Sequence, residues 1–240
     1  MNRRKELKYF CTEQDFRIIE NSLKGIVKKD SHQTGDCYNI RSIYFDNMDN
    51  RCFFENDAGV DKRNKYRIRA YDMNPDFIRA EIKIKYRDTT AKDSSILLKS
   101  QYDDILLNNH LGAPDTYEGH ELFKQPDIDV LNKYRLAIHG EGFRPAAVIE
   151  YERTAFVYNI CNVRITFDKN ISVSNRFDHF FDKDLHSIPV NDRDIHILEI
   201  KYDEFLPDYI AQCVDGLNLR RSSFSKYYLG RLKLMEMFKE

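Results

Sequence analysis

The segments Lys65–Tyr71 and Glu81–Tyr86 alternate charged and apolar side chains residue by residue: KYRIRAY, then EIKIKY. Successive side chains of a strand point to opposite faces, so each segment has one charged face and one apolar face. The alternation recurs along the chain. Arg4, Glu6 and Lys8 share one face of RRKELKYF; Arg41 lies in YNIRSIYFD; Tyr151 shares a face with Arg153, Arg164 with Thr166 and Asp168, and Glu199 with Lys201. The opposite faces carry Ile, Val, Leu, Phe and Tyr.

Any one such strand fits an antiparallel sheet with a solvated outer face. The set argues otherwise, because the charged faces are dominated by Lys and Arg with a few Glu, on six or more strands. If the strands close with these faces inward, the interior is a basic channel containing a few carboxylates. Unpaired buried charge costs several kcal/mol, so the channel needs counter-charge. A polyphosphate supplies it, each charge-assisted hydrogen bond contributing ~1.5–3 kcal/mol. Carboxylates among the cations suit a divalent metal that bridges them to phosphate oxygens.

Net charge over the 240 residues is only −1, although 32% are charged. A uniformly basic nucleic-acid binder is thereby excluded, and an anion site must be local. The many Tyr and Phe fall mostly on apolar faces or at helical core spacing, so nucleic acid is not an expected partner. The 42% hydrophobic content suits one sizeable domain over 1–240. Five scattered cysteines without a CxxC pair point to free thiols in a reducing compartment. The charged N-terminus lacks a signal-peptide stretch, and no run approaches the ~20 apolar residues of a membrane span. A cytoplasmic protein without its own membrane span is expected. No GxxxxGK[ST] phosphate loop occurs. The acids of FDHFFDKD (177–184) suggest a solvated helix face rather than a calcium site.

Strands are expected at 3–10, 38–46, 65–71, 81–88, 146–158, 162–168 and 195–203. Thr12 with Asp15 three residues later resembles a capping box ahead of Phe16, Ile19 and Leu23 at helical spacing. Further helices are expected near 47–56, 101–110, 127–139, 205–216 and 223–238, the last capped by Ser222 or Ser223. The Gly-, Pro- and Asp-bearing stretch 111–126 reads as a loop or lid-like insertion. Strands outnumber helices and lie close enough to pair antiparallel, an α+β pattern on a strongly curved sheet or barrel.

RRKELKYF (3–10), IRSIYFD (40–46), GVDKRNKYRIRAY (59–71), AEIKIK (80–85), YERTAF (151–156), VRITFD (163–168), LEIKYD (198–203) and SFSKYYLG (223–230) together resemble the VTC domain. This is the polyphosphate-polymerase branch of the triphosphate tunnel metalloenzymes, a CYTH-like superfamily. The resemblance implies a closed antiparallel eight-stranded β-barrel, the triphosphate tunnel, with flanking helices. It implies binding of a nucleoside triphosphate, such as ATP, and of polyphosphate, with Mn2+ or Mg2+. By matching position Lys8, Arg67, Arg69, Lys83, Arg153, Arg164 and Lys226 would bind phosphate, Arg67, Arg69, Lys83, Arg153, Arg164 and Lys226 carrying catalysis. Lys92 matches a further lysine in a looser register, and Tyr151 and Ser225 would add wall or phosphate contacts. Arg41, Lys62, Lys85 and Lys201 complete the candidate phosphate contacts; Glu199 and Glu6 are the candidate metal ligands.

Three departures matter. The hydrolase branch carries Glu-x-Glu-x-Lys on its first strand, whereas here Arg4 stands where the first carboxylate would be. That favours transfer to phosphate over hydrolysis by a metal-activated water. Ser94 and Ser223 stand where an arginine and a second lysine are common in the family. Known VTC domains often work beside membrane partners, so a membrane partner protein is a further expectation. The alternatives are a tunnel-fold triphosphatase and a non-catalytic module that binds polyphosphate or inositol phosphates.

Overall fold

The computed structural model describes residues 4–31, 33, 35–112, 126–192 and 194–237. The elements are β1 (Arg4–Cys11), α1 (Glu13–Ser22), β2 (Lys28–Lys29), β3 (Tyr38–Asp46), α2 (Arg51–Asp57), β4 (Lys62–Tyr71), β5 (Ile78–Tyr86), β6 (Thr89–Leu97), α3 (Lys99–Asn108), α4 (Ile128–Arg135), β7 (Arg144–Tyr158), β8 (Val163–Ser174), β9 (Ile188–Pro189), β10 (His196–Tyr202), α5 (Asp208–Asp215) and α6 (Lys226–Met237). The strands pair antiparallel in the order β2-β7-β3-β4-β5-β6-β1-β10-β8-β9, and a further β7–β8 pairing closes the eight strands between β7 and β8 into a ring. Most of the expected insertion falls at 113–125, outside the described residues.

The outer face of the ring is mostly apolar, and the inner face carries most of its Lys, Arg and Glu. Ile43, Ile68, Ala70, Ile78, Ala80 and Ile82 leave the outer face and are buried with residues of α2, α3 and α4. Ile165, Phe167, Leu198 and Ile200 do the same beneath α1 and α5. Each large side chain so buried contributes about 1.5–3 kcal/mol, so the helices hold the ring from outside. The α1 cap forms as expected: Thr12 Oγ1 accepts from the Asp15 N–H, and the Asp15 carboxylate accepts from the Thr12 N–H. Tyr134 of α4 reaches the wall backbone, its hydroxyl lying 2.6 Å from the Arg67 carbonyl oxygen and 3.0 Å from that of Glu81.

The C-terminal helix behaves differently. A Cβ on Gly230 of α6 would lie 2.4 Å from Ile149 Cδ1 and 3.2 Å from Val173 Cγ2, and in the ladder Ile149 stands opposite Ser42 and Val173. These are inner-face positions, so α6 enters one end of the ring, and only glycine permits the approach. Tyr227 stacks on Tyr44 with centroids 5.2 Å apart, and Phe224 meets Phe10 edge-on at 5.8 Å. The serine that caps this helix is Ser225, whose Oγ accepts from the Tyr228 N–H; Ser222 instead accepts from Phe224, and Ser223 is exposed.

β6 is a strand that alternation does not mark: TTAKDSSIL is polar on both faces, because Asp93 and Ser95 of its outer face bind Lys133 and the Asp127 N–H near α4. One further expectation is corrected. The 177–184 segment is no solvated helix face. It turns through a short 3-10 helix at Phe177–His179 and buries Phe180 against the core.

Candidate functional site: a basic tunnel

Cross-strand partners share a face, so the ladder fixes what the interior contains. Arg67 faces Tyr44 and Glu81; Arg69 faces Ser42 and Arg79; Lys65 and Lys92 face Lys83. Glu6 faces Lys201, and Glu199 faces Lys8 and Thr166; Lys201 faces Arg164, and Arg153 faces Tyr38 and Asp168. Lys85 lies on the same wall beside Arg63 and Thr90. The structure thus gathers Lys8, Arg67, Arg69, Lys83, Lys85, Lys92, Tyr151, Arg153, Arg164, Lys201, Glu6 and Glu199 on one inner surface, with Ser225 and Lys226 at the end that α6 closes.

Carboxylates are shared here. Glu81, fully buried, takes Arg67 at 2.7 Å, Lys92 at 2.7 Å and Arg69 at 3.8 Å. Asp168 binds Arg153 bidentately at 2.6 and 2.7 Å and also Lys226 at 2.7 Å. Glu6 takes Lys83 at 3.1 Å and Lys8 at 3.3 Å. Glu199 takes Lys201 at 3.1 Å and Arg153 at 3.8 Å. Glu6, Glu81, Asp168 and Glu199 therefore balance twice their number of cations. Lys65 is held by neutral oxygens, Asn56 Oδ1 at 2.6 Å and Ser225 Oγ at 2.8 Å.

The imbalance shows in the acid–base behaviour. Burial, with Lys8 and Arg63 nearby, pushes Lys65 down to about 7. Burial, with Arg153 and Arg67 adding to it against Glu6, brings Lys201 to about 8. Lys83 falls well below the usual lysine range through burial and the charges of Lys8 and Lys201, against the pull of Glu6. Burial alone would raise Glu81, but Arg67, Arg69 and Lys92 outweigh it and hold the carboxyl well below its usual range. The cations lack negative charge, which a multiply charged anion would provide.

Arg41 and Lys62 are not on this wall. Arg41 faces Ala70 and Glu150 from the outer side and is fully buried; its guanidinium binds Glu150 at 3.0 Å and the Phe180 and Asp182 carbonyl oxygens at 2.6 and 2.7 Å. It anchors the 177–184 turn and leaves no donor directed into the tunnel. Lys62 precedes Lys65 by an odd number of residues, so it shares the outer side with Tyr66 and is exposed. Glu81, Asp168, Lys65 and Arg79 also lie on the inner wall, although they were not among the candidate site residues. Strand parity with Lys83, Arg164 and Arg67 marked the first three. Arg79 donates from Nε to Ser94 Oγ at 2.9 Å, so a guanidinium stands over the serine where the family commonly has arginine.

Among the described residues no three His, Cys, Asp or Glu side chains form a metal cage. The available donors are Glu6 and Glu199, diagonal neighbours on paired strands, and the Thr166 hydroxyl opposite Glu199, which is buried without a hydrogen-bond partner. Mg2+ and ions like it are held by one or two carboxylates plus substrate phosphates and waters, so this donor set fits one such ion.

A closed antiparallel ring with a basic, carboxylate-bearing interior is the architecture of the tunnel-fold phosphate-handling proteins. The VTC domain model matches residues 3–235, and the chain belongs to that family. In fold it is similar to the crystal structure of a Bacillus halodurans protein provisionally described as an adenylate cyclase, with 13% identity over 94% of this chain and 96% of that one and a TM-score of 0.55. A Vibrio parahaemolyticus protein of the same description is similar over 95% of this chain and 97% of its own, with 12% identity and a TM-score of 0.48. No curated protein matches the sequence. No helix among the described residues is long and apolar enough to cross a membrane.

Proposed function

We propose that the chain is a metal-dependent polyphosphate polymerase-type phosphotransferase, moving the terminal phosphate of a nucleoside triphosphate such as ATP onto polyphosphate inside the tunnel. The observation that carries this reading is the excess of buried, converging Lys and Arg over the four carboxylates that they share. Arg67, Arg69, Lys83, Arg153 and Arg164 hold phosphate oxygens and orient donor and acceptor in line. A terminal phosphate oxygen is already anionic, so attack needs no strong general base. The cations offset the repulsion between the two anions, and they do so in a partly dehydrated site where their effect is larger than in water. Lys8, Lys92, Lys201, Lys226, Tyr151 and Ser225 extend the phosphate-binding wall. Glu199 and Glu6 would hold Mn2+ or Mg2+, which when bound neutralises charge on bridged phosphate oxygens.

Arg4 supports transfer over hydrolysis. Its Nε binds Asp203 at 3.0 Å and its Nη2 reaches the Asn162 carbonyl oxygen, so a cation clasps the strand ends where the hydrolase branch has a carboxylate. One observation favours a second reading, a tunnel-fold triphosphatase: α6 closes one end, and a channel with one open mouth accommodates a triphosphate more readily than a threaded polymer. Incubation with ATP and Mn2+, scoring both chain length and free phosphate, separates the two. A ladder of chains is expected; phosphate without polymer would establish the hydrolase, and neither product would leave a binding module.

A further inference from the structure

The mouth of the tunnel away from α6 has a different chemistry from its middle. Two residues beyond Arg69 on the same face of β4 lies Tyr71, opposite Ile40; two residues before Ile40 lies Tyr38, opposite Arg153. Phe77 lies next to Tyr71 across the β4–β5 turn. Tyr38 and Tyr71 have centroids 6.1 Å apart with ring planes inclined by 42°, and Tyr71 and Phe77 are 6.1 Å apart at 37°. All three rings are half-buried and form a row along the rim. Guanidiniums back the row: Arg69 Cζ lies 6.0 Å from the Tyr71 centroid, Arg79 Cζ lies 5.7 Å from that of Phe77, and Arg164 Nη2 is 3.3 Å from the Tyr38 hydroxyl.

The turn holding this row is built rather than incidental. Asp72 and Met73 both have positive φ, 49° and 54°, a conformation uncommon for residues other than glycine. It is fixed to β3, because the Asp72 N–H donates to the Asn39 carbonyl oxygen at 3.0 Å and the Asp72 carboxylate accepts from the Asn39 N–H at 2.8 Å.

We infer that Tyr38, Tyr71 and Phe77 form a stacking subsite for the base of the nucleoside triphosphate. This rests on the tunnel being a triphosphate site, as proposed above. From Arg67 to Tyr71 is four residues, about 13 Å along the strand at the usual rise. A nucleotide whose terminal phosphates lie at Arg67 and Lys83 places its sugar and base toward that rim. Every base offers a π-face, so aromatic stacking is tolerant of base identity. The Asp72 carboxylate is taken by the Asn39 backbone N–H, and Asn39 alternates with Tyr38 and Ile40 and so lies on the opposite face of β3 from the aromatic row. The subsite therefore selects nucleoside triphosphates as a class over inorganic tripolyphosphate, without choosing among bases.

The test is calorimetric titration of the intact chain with ATP, GTP and tripolyphosphate in Mn2+, comparing wild type, Tyr71→Leu and Tyr71→Phe. Wild type should bind ATP and GTP within a few-fold of each other. Tyr71→Leu should weaken both by about tenfold and leave tripolyphosphate unchanged. Tyr71→Phe keeps the ring, loses the hydroxyl and should bind ATP as wild type does. The base subsite is overturned if Tyr71→Leu weakens all three ligands alike, or none, while wild type still binds tripolyphosphate. If wild type binds none of the three, the triphosphate reading of the tunnel fails and the subsite with it.

Discussion

Arg41 and Arg69 stand one strand apart on the same ring, both buried, yet their surroundings are opposites. Arg41 faces outward, and its guanidinium meets Glu150 and two backbone carbonyl oxygens, with its charge matched by a carboxylate of its own. Arg69 faces inward. It binds the neutral Ser42 and Tyr151 hydroxyls at 3.2 and 3.1 Å, and its nearest carboxylate, Glu81, at 3.8 Å, already holds Arg67 and Lys92. The charge of one arginine is matched within the protein by Glu150; the other retains charge that the protein does not match. The state of its acceptors, rather than burial or residue type, separates a structural cation from one available to a ligand.

The largest expected effect lies on the inner face. Glu199→Gln should lower product formation from ATP by at least about 100-fold while the thermal midpoint stays near that of wild type, since the change removes the proposed metal ligand's charge without changing its volume. Normal turnover in that variant, measured by phosphate transfer, removes the metal assignment. Next, on the outer face, Arg41→Met should cost about 3–5 kcal/mol in urea unfolding, because Glu150 and the 177–184 carbonyl oxygens lose their partner. The folded fraction should bind tripolyphosphate with unchanged affinity. Arg69→Gln should do the reverse: affinity falls by about 1.5–3 kcal/mol, roughly 10- to 150-fold, with little loss of stability. If the two arginine variants exchange these phenotypes, the assignment of faces is wrong.

The smallest effect is the pH dependence. Lys65 and Lys201 titrate near 7 and 8 in the folded protein, against about 10.4 for lysine in an unfolded chain. Between those limits the unfolded chain binds more protons, so their contribution to stability rises as pH increases from about 7 toward 10. A bound polyanion raises both pKa values, so binding takes up protons, and affinity should fall over the same range. Calorimetry in buffers of different ionisation enthalpy reads that uptake at pH 8; zero uptake contradicts it.

Much of the wall was legible because strand side chains alternate strictly. Lys65, Arg67, Arg69, Glu81, Lys83 and Lys85 could be assigned to one face from spacing alone. The same rule puts Lys62, an odd number of residues from Lys65, on the outer face. Arg41 was not legible. β3 is buried on both faces, so Arg41-Ile43-Phe45 and Ile40-Ser42-Tyr44 are each mixed and neither reads as the inner one. β6 was hidden because its outer face spends Asp93 and Ser95 on docking polar groups near α4 instead of on apolar burial. The entry of α6 into the ring depends on the absence of a side chain at Gly230, a contact that no periodicity records.

The central claim is that the inner cations form an anion site. It is tested most directly by a crystal structure with tripolyphosphate and Mn2+. The anion should lie inside the ring, with its oxygens within hydrogen-bond distance of Arg67, Arg69 and Arg153 and with Arg41 still bound to Glu150. A tunnel free of the anion at saturating concentration, or tripolyphosphate bound on the outer surface instead, would contradict the account.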